Sequence, residues 1–411
     1  MADGPRALGA GEWDQLNEVV STVFRAEMFQ EYPQLFNEAN RDNLRVVAED
    51  GKIVCHVGMT ERPATLAGCR IDVACIGAVS TLEAYRGRGF ASLAFQDACA
   101  KAAGDGIDLM LISGGRGLYT RVGCRQVGQD WDCTLGPAEA ARLAQLSGVP
   151  AVAPPAGTTA SGDPGGVRPY RLDPLGPEQI DQLSALYRRE PVRFLRPLQD
   201  WQMAFDCGVV MNTRADFWGL WRGQALLAYL VVHQPHRARP RPDGTRVVRV
   251  VEFAGERPAL AGALPALLEH YGVGSLSIHV QGGDTALRTL LSEGTGGEGT
   301  VAPASGTLRV INFPQLMERC RPLLAERLGA VAAELTFEAD APAGSAEGGF
   351  TIRTRSDPSA SLRLPDLGSL ATYLFGSPQP QAGQAQGSPH LAATLAPALP
   401  LPALWYGINY V

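Results

Sequence analysis

The stretch Val79–Ser92, VSTLEAYRGRGFAS, decides the fold of the N-terminal part of the chain. The apolar run over residues 71–81 is typical of a strand, and the amphipathic run over residues 90–103 predicts a helix that begins just after Gly89. A helix N-terminus presents unpaired backbone N–H groups, and its dipole favours negative charge. Gly87 and Gly89 leave the backbone open to close approach. The order of strand, glycine turn and helix therefore predicts a site for an anion such as a diphosphate.

On its residues alone, the run Arg-Gly-Arg-Gly at 86–89 could also be an ordinary turn or a basic loop of an RNA-binding protein. The flanking strand and helix favour the anion site. A second apolar strand over residues 107–113, followed by Gly114 and Gly115, supports it further. The pattern Arg-x-x-Gly-x-Ala at 86–91 resembles the pyrophosphate-binding loop of the GNAT acetyltransferases. That resemblance implies acetyl-coenzyme A as the cosubstrate.

The bulk properties narrow the classes of protein that the chain could represent. A length of 411 residues predicts two or three domains, and a net charge of −6 argues against a nucleic-acid-binding surface. The eight cysteines occur singly, and none of the six histidines has a partner at ligand spacing, so we expect no metal site. With no membrane-spanning apolar run and no secretory pattern at the N-terminus, we expect a cytoplasmic protein that does not bind membranes.

Two low-complexity stretches, residues 148–166 and 292–307, divide the chain into three segments. We place domains at residues 1–147, 167–299 and 306–411. The first segment is expected to run helix, hairpin, strand, loop and helix, strand, helix, and the second repeats that order. At the place of the glycine loop the second segment has Gly255-Glu-Arg-Pro258, where Pro258 removes a backbone donor and Glu256 would repel phosphate. It is therefore either a degenerate copy of the first domain or an unrelated α/β domain.

The three-part order resembles the enhanced-intracellular-survival (Eis) family of acetyltransferases over nearly the whole chain. The third segment is similar to that family's last domain in LRVINFP at 308–314, before a leucine-rich helix, and in LRLPDLGSL at 362–370. The fold class implied is α/β (α+β), with two tandem GNAT-like domains, the second degenerate, and a C-terminal sterol-carrier-protein-like domain. The resemblance also implies a homo-oligomer, either a hexamer or a trimer.

The resemblance implies the site residues as well. The coenzyme would be bound by the end of the central strand, the loop and two later glycines: Val79, Ser80, Thr81, Arg86, Gly87, Arg88, Gly89, Phe90, Ala91, Ser92, Gly114 and Gly115. Tyr119 would protonate the departing thiolate, although it could instead be a packing tyrosine. The terminal carboxylate of Val411 would act as a base, and the apolar tail over residues 404–411 is consistent with burial. That tail could instead only pack on the last domain.

The expected activity is transfer of an acetyl group to a primary amine by direct attack in a ternary complex. The expected acceptor is a cationic small molecule, aminoglycoside or polyamine-like, or a lysine side chain. Glu27, Phe29 and Tyr32 follow the first helix and could line its pocket, whereas His56 is expected to be structural. The alternatives are a non-catalytic acetyl-coenzyme A-binding or lipid-binding protein and an acyltransferase for a longer acyl group.

Overall fold

The computed structural model describes residues 2–115, 117–150, 152, 170–235, 247–297, 299–304, 306–376 and 385–411. The chain forms two compact units. The first unit contains residues up to 128, residues 303–405 and the last two residues, and the second contains residues 129–302 and 406–409. Among the described residues, no helix is both long enough and apolar enough to cross a membrane. Most of the predicted linker over residues 148–166 lies outside the described part of the chain.

The N-terminal elements follow the predicted order, with one correction. They are β1 Ala2–Ala7, α1 Trp13–Val23, α2 Met28–Glu31, β2 Leu44–Glu49, β3 Lys52–Leu66, β4 Cys69–Thr81, α3 Phe90–Gly104, β5 Leu109–Ile112 and α4 Gly117–Arg121. The apolar spacing predicts the first helix over residues 13–29, but the helix ends at Val23, and Phe24, predicted on its apolar face, is 41% exposed. The predicted hairpin is present, and Asp50 and Gly51 both have positive φ, as a tight two-residue turn requires.

The middle of the chain builds the sheet of the second unit. Its elements are β6 Asp130–Leu135, α5 Pro137–Leu146, β7 Tyr170–Pro174, α6 Ile180–Tyr187, β8 Val192–Phe194, α7 Leu198–Cys207, β9 Val209–Val210, β10 Thr213–Arg222, β11 Ala225–His233, β12 Val248–Gly255, α8 Arg257–Tyr271, β13 Leu276–Val280, α9 Thr285–Thr295 and β14 Thr300–Ala302. The strand order is β14-β6-β13-β12-β11-β10-β7, and β9 pairs with β10. The predicted break over residues 292–307 is partly wrong, because α9 and β14 enter it.

The C-terminal segment contributes a small sheet and several helices to the first unit. Its elements are β15 Thr307–Val310, α10 Phe313–Arg319, α11 Arg321–Leu328, α12 Val331–Glu334, β16 Leu335–Ala339, β17 Phe350–Thr354, β18 Ser361–Leu364, α13 Leu367–Phe375, β19 Gln386–Gly387 and α14 Pro389–Leu395. Strands β16 to β19 form an antiparallel sheet in chain order.

The main sheet of the first unit has the order β1-β2-β3-β4-β5-β15. Along this order the β4–β5 pair is parallel, and the other four pairs are antiparallel. The predicted boundary at residue 147 is corrected here, because β6 pairs with β13 and β14 in the second unit, while β15 pairs with β5. The physical reason is burial: alternate side chains of β6, Trp131, Cys133 and Leu135, belong to the core of the second unit.

Helix α3 covers one face of the main sheet and thereby places the glycine loop. Its inward side chains, Ala94, Phe95, Ala98 and Ala102, are all fully buried against residues of β3, β4 and β5. Small residues on this face let the helix approach the strands closely, and the ring of Phe95 fills space in its N-terminal half. The loop after β4 is consequently held at the carboxyl end of the central strand.

Candidate active site

The glycine loop has the backbone geometry of an anion site. Gly87 has φ +79° and Gly89, the residue before α3, has φ +83°. A Cβ at either position would meet nothing within 4 Å, so the left-handed backbone rather than crowding requires glycine there. No side chain caps α3 among the described residues, and residues 86–89 are exposed. The first-turn N–H groups of Phe90, Ala91 and Ser92 are therefore available to a phosphate.

The two arginines of the loop are already held by protein groups. Arg88 donates to Glu49, with Nη1 2.6 Å from Oε2, and its guanidinium lies 4.9 Å from the ring centroid of Phe90. Arg86 donates from Nε to the carbonyl oxygen of Thr81 at 3.3 Å. The side chain of Arg88 is still 46% exposed. Both positive charges thus stay at the mouth of the loop, where an incoming phosphate would meet them.

Strand β4 extends beyond its neighbour β5 and leaves one edge open. The parallel pairing ends at Ile76 and Ile112, and Ser113 closes it by donating its N–H to the Ile76 carbonyl at 3.3 Å. Strand β4 continues to Thr81, paired only with β3 on its other side. The main chain of Val79 to Thr81 can therefore accept an extended ligand as an added strand.

A β-bulge marks this open part of β4. His56 pairs with Ser80 and Gly58 pairs with Gly77, so β4 has one residue more than β3 between these two pairs. Ala78, within the bulge, has φ +49°, which is uncommon for a residue with a side chain. Its carbonyl lies 3.0 Å from Nδ1 of His56. The bulge interrupts the ladder at the point where β4 and β5 part.

Tyr119 lies on α4, close to the end of β5. It is 6% exposed, and its ring lies 5.6 Å from that of Phe95. A Cβ on Gly114 would lie 3.2 Å from Cε2 of Tyr119, whereas Gly115 is exposed and nearly unobstructed. The resemblance implies that both glycines bind the coenzyme. In the structure, Gly114 also makes room for the ring of Tyr119.

The main-chain carbonyl carbon and oxygen of Val411 occupy the space that a side chain at Gly77 would need. A Cβ at Gly77 would lie 2.1 Å from the carboxyl carbon and 2.3 Å from an oxygen of Val411, which is 4% exposed. Gln34 donates from Nε2 to the carbonyl oxygen of Tyr410 at 2.7 Å. The chain end is thus buried on β4, one residue before the bulge.

The preceding residues of the tail are held within the second unit by a buried ion pair. Arg196 is bonded by two nitrogens to Glu252, at 2.9 and 2.8 Å. Glu252 accepts the N–H of Ile408 at 2.9 Å, and Arg196 donates from Nε to Oδ1 of Asn409 at 2.9 Å. A Cβ on Gly407 would lie 1.9 Å from Oε2 of Glu252. The tail is consequently part of the folded structure up to its last residue.

Aromatic side chains surround the end of the tail in the first unit. Tyr32 is 3% exposed, and its ring lies 6.4 Å from that of Tyr410. Burial, and next the proximity of Tyr410, raise the pKa of Tyr32 well above its usual value, so its hydroxyl keeps its proton. Phe29 stacks on Phe36 at 4.1 Å. Of the three residues predicted for an acceptor pocket, Tyr32 lies beside the tail, Phe29 belongs to the neighbouring aromatic stack, and Glu27 is exposed.

The corresponding loop of the second unit lacks the features of an anion site. Gly255 has φ +112°, and a Cβ there would lie 2.2 Å from the carbonyl oxygen of Leu227. Arg257, at the start of α8, donates to Glu190 at 2.9 Å and to Asp284 at 2.7 Å. Its charge is thus compensated by two carboxylates, and Pro258 supplies no N–H.

Two other histidines, His233 and His279, bond to protein groups. His233 bonds through Nε2 to the carbonyl of Val210 at 2.9 Å, and His279 bonds to Asp132 at 2.7 Å and Asp130 at 3.0 Å. Over the residues for which the structure gives a description, no group of three or more His, Cys, Asp or Glu side chains is arranged to hold a metal ion.

Comparison with known proteins finds a family model for the part of the chain that carries this geometry. Residues 5–127 match the model of the acetyltransferase (GNAT) domain. No curated protein matches the sequence. A GCN5-related N-acetyltransferase from Anabaena variabilis is similar in structure, with a TM-score of 0.64 at 16% identity over 98% of this chain and 99% of that chain.

Two further solved structures have the same fold. A GCN5-related N-acetyltransferase from Kribbella flavida has a TM-score of 0.62 at 15% identity, over 100% of this chain and 98% of that chain. Eis1 from Mycobacterium abscessus has a TM-score of 0.59 at 16% identity, over 98% of this chain and 97% of that chain. At these identities the similarity concerns the fold, and it extends over nearly the whole chain.

Proposed function

We propose that the chain is an Eis-like N-acetyltransferase that transfers an acetyl group from acetyl-coenzyme A to a primary amine. The observation that carries the proposal is the buried carboxylate of Val411 against Gly77, on the strand that leads into the glycine loop. Burying a carboxylate is costly unless a partner offsets the loss of hydration. A cationic amine that reacts beside β4 would be such a partner.

The coenzyme is assigned to the open edge of β4 and to the loop. The N–H groups of residues 90–92 and the arginines Arg86 and Arg88 suit a diphosphate, because they combine a helix N-terminus with two exposed positive charges. The main chain of Val79, Ser80 and Thr81 suits the amide-containing pantetheine arm, since its outer edge is not paired with β5. The residues present therefore fit acetyl-coenzyme A.

The chemistry is a single displacement in a ternary complex. The bound ammonium first gives one proton to water, because only a neutral nitrogen has the lone pair needed for attack. That nitrogen attacks the thioester carbonyl carbon, so that a C–N bond forms and the C–S bond breaks. The Tyr119 hydroxyl protonates the departing thiolate, and the nitrogen gives its proton to the Val411 carboxylate, directly or through water. Tyr119 regains a proton from solvent. With ordinary pKa values, proton transfer from a phenol to a thiolate is unfavourable by about 2 kcal/mol. A positioned acid can still make this transfer if it occurs in concert with the breaking of the C–S bond.

The proposed acceptor is a cation: an aminoglycoside, a polyamine-like small molecule or a lysine side chain. The Val411 carboxylate supplies the negative charge, and the rings of Tyr32 and Tyr410 can stabilise a cation through their faces. The net charge of −6 also favours the approach of cations over anions.

We further propose the setting that the Eis resemblance implies. The second unit would be built on a degenerate GNAT domain without coenzyme, which the carboxylates around Arg257 support. The segment from residue 306 would be related to sterol-carrier proteins, and the protein would work in the cytoplasm as a hexamer or trimer. Gel filtration with light scattering tests the assembly independently of the chemistry.

The decisive experiment measures free-thiol release from acetyl-coenzyme A over a panel of amines that includes spermidine, kanamycin and a lysine-containing peptide. The native chain is compared with a chain that has one extra alanine after Val411. We expect amine-dependent release that the extension abolishes, because the extended chain no longer ends at Gly77. If the extended chain still releases thiol, the proposed acetyltransferase activity stands, and the carboxylate has no role in the mechanism. Tight coenzyme binding without release for any amine would contradict the enzyme and favour a binding protein.

A further inference from the structure

Two buried polar atoms beside the open part of β4 have no hydrogen-bond partner among the described residues. They are Nε2 of His56 and Oγ of Ser80. His56 is 0% exposed and Ser80 is 1% exposed. Buried polar atoms are nearly always hydrogen-bonded, because leaving one unpaired costs free energy. Two such atoms on adjacent strands therefore indicate a site that another molecule completes.

The strand register places both atoms on the same face of the sheet as the terminal carboxylate. His56 pairs with Ser80, and Gly58 pairs with Gly77. Paired residues of antiparallel strands share a face, and so do residues two apart on the regular strand β3, at about 7 Å. The Val411 carboxylate occupies the side-chain position of Gly77. The imidazole, the hydroxyl and the carboxylate are thus neighbours on one face.

The second glycine of this pair makes room for the imidazole. A Cβ on Gly58 would lie 3.0 Å from Cε1 of His56 and 3.0 Å from the carbonyl oxygen of Gly77, both tighter than ordinary contact. Gly58 therefore accommodates a ring, as Gly77 accommodates a carboxylate. Cε1 of the ring and the carbonyl of Gly77 thus border the same space above Gly58.

The tautomer of His56 follows from its one hydrogen bond. Nδ1 lies 3.0 Å from the carbonyl oxygen of Ala78, which can only accept, so Nδ1 carries the hydrogen and Nε2 carries a lone pair. Burial lowers the pKa of His56 to about 4. At neutral pH the ring is therefore uncharged and does not repel a cation.

We propose that His56, with Ser80, binds the nitrogen of the acceptor amine beside the Val411 carboxylate. This assignment rests on the proposed function and adds two residues to its acceptor site. An ammonium group has three N–H donors. The carboxylate, the Nε2 lone pair and the Ser80 oxygen are three acceptors on one face, so they match a primary ammonium better than a more substituted amine. They would also orient the nitrogen once it has lost a proton.

The first test replaces His56 with asparagine, whose amide can keep the donor to Ala78 while the acceptor at Nε2 is lost. We expect kcat/KM for spermidine or kanamycin to fall about 10- to 100-fold, the loss of a charge-assisted hydrogen bond, with unchanged coenzyme affinity. Ser80→Ala should give a smaller fall of the same kind. His233→Gln is the matched control, because it changes a buried strand histidine elsewhere. It should leave kcat/KM for the amine and the affinity for coenzyme as they are in the unaltered protein.

The second test separates binding from a structural role and does not need turnover. In protein with ¹⁵N-labelled histidine and bound coenzyme A, adding spermidine or kanamycin should shift the Nε2 resonance of His56 in the direction of a hydrogen-bonded nitrogen. An unmoved resonance at saturating amine, or an unchanged kcat/KM for His56→Asn, would overturn the assignment. Absence of thiol release by the unaltered protein would contradict the proposed function instead, and the resonance would still decide whether His56 binds an amine.

Discussion

Replacing Gly77 with alanine tests the role of the chain end with a single methyl group. Gly77 does not have a positive φ, so alanine causes no backbone strain there. The only obstacle to alanine is the lack of room for its methyl group. The new Cβ would lie 2.1 Å from the carboxyl carbon of Val411. Carbon atoms that are not bonded to each other stay about 3.5 Å or more apart, so the carboxylate must move by roughly 1.5 Å.

A displacement of this size is large compared with the tolerance of a reacting site. Misplacement of a reacting group by about 1 Å can lower the rate about 100-fold, which corresponds to an increase of roughly 3 kcal/mol in the activation free energy. We therefore expect Gly77→Ala to lower kcat for amine acetylation by about 100-fold. The dissociation constant of coenzyme A should change little, because the loop and the open edge of β4 are untouched.

The assay is steady-state thiol release, with coenzyme binding measured by calorimetry. Gly104→Ala is the matched control, because its Cβ would meet nothing within 4 Å and its φ is not positive. Adding an alanine after Val411 in the Gly77→Ala background should cause almost no further loss, since both changes remove the same group from the same place. Full activity of Gly77→Ala, or losses that multiply in the double variant, would refute the reasoning.

Three other changes test separate parts of the structure. Tyr119→Phe should lower kcat by about 100-fold without changing coenzyme affinity, and equal turnover would remove Tyr119 from the mechanism. Gly89→Ala forces a side chain into a left-handed backbone, at a cost of about 1 kcal/mol, so coenzyme affinity by calorimetry should fall about 5-fold while KM for the amine stays constant. The pKa of His279 would fall through burial alone, but hydrogen bonds to Asp130 and Asp132 raise it above its usual value. Its contribution to stability is therefore complete below about pH 6.5 and is lost as pH rises through the folded-state value. The thermal unfolding midpoint should therefore decline as pH rises through that value, and the decline should be smaller in His279→Gln. Parallel curves of midpoint against pH for the two proteins would contradict this.

The local parts of the site could be predicted from the sequence because their causes are local. Gly87 and Gly89 are required by their own backbone angles, and the helix after them follows from the spacing of its buried residues. The Asp50-Gly51 turn is of the same kind, since both residues have positive φ. In each case the residue type and the backbone conformation that demands it occupy the same few positions of the chain.

The strand partners could not be predicted, because pairing depends on residues far apart in the chain. Strands β6 and β15 are both short and mix apolar with polar residues, and either pattern would suit the edge next to β5. Burial decides between them: all four residues of β15 are buried beside β5, while β6 buries alternate residues in the second unit. Helices α7 and α9 were missed as well. Both have a clear apolar face, but turn-like residues, Pro197 before α7 and Gly294 within α9, obscure it.

Gly58 and Gly77 show why the rest of the site stayed hidden. Neither glycine has a positive φ, and neither lies in a turn, so nothing local explains its residue type. Each leaves space for a group that comes from elsewhere, an imidazole two residues away on the same strand and a carboxylate from the opposite end of the chain. A glycine in a strand weakens it, so two that face each other across a ladder need a compensating gain. The polar groups that fill the space, His56 and Val411, are where that gain would arise, since together they form one acceptor surface for an ammonium. The pair of facing glycines is therefore the sequence feature that we would search for first in other chains with this fold.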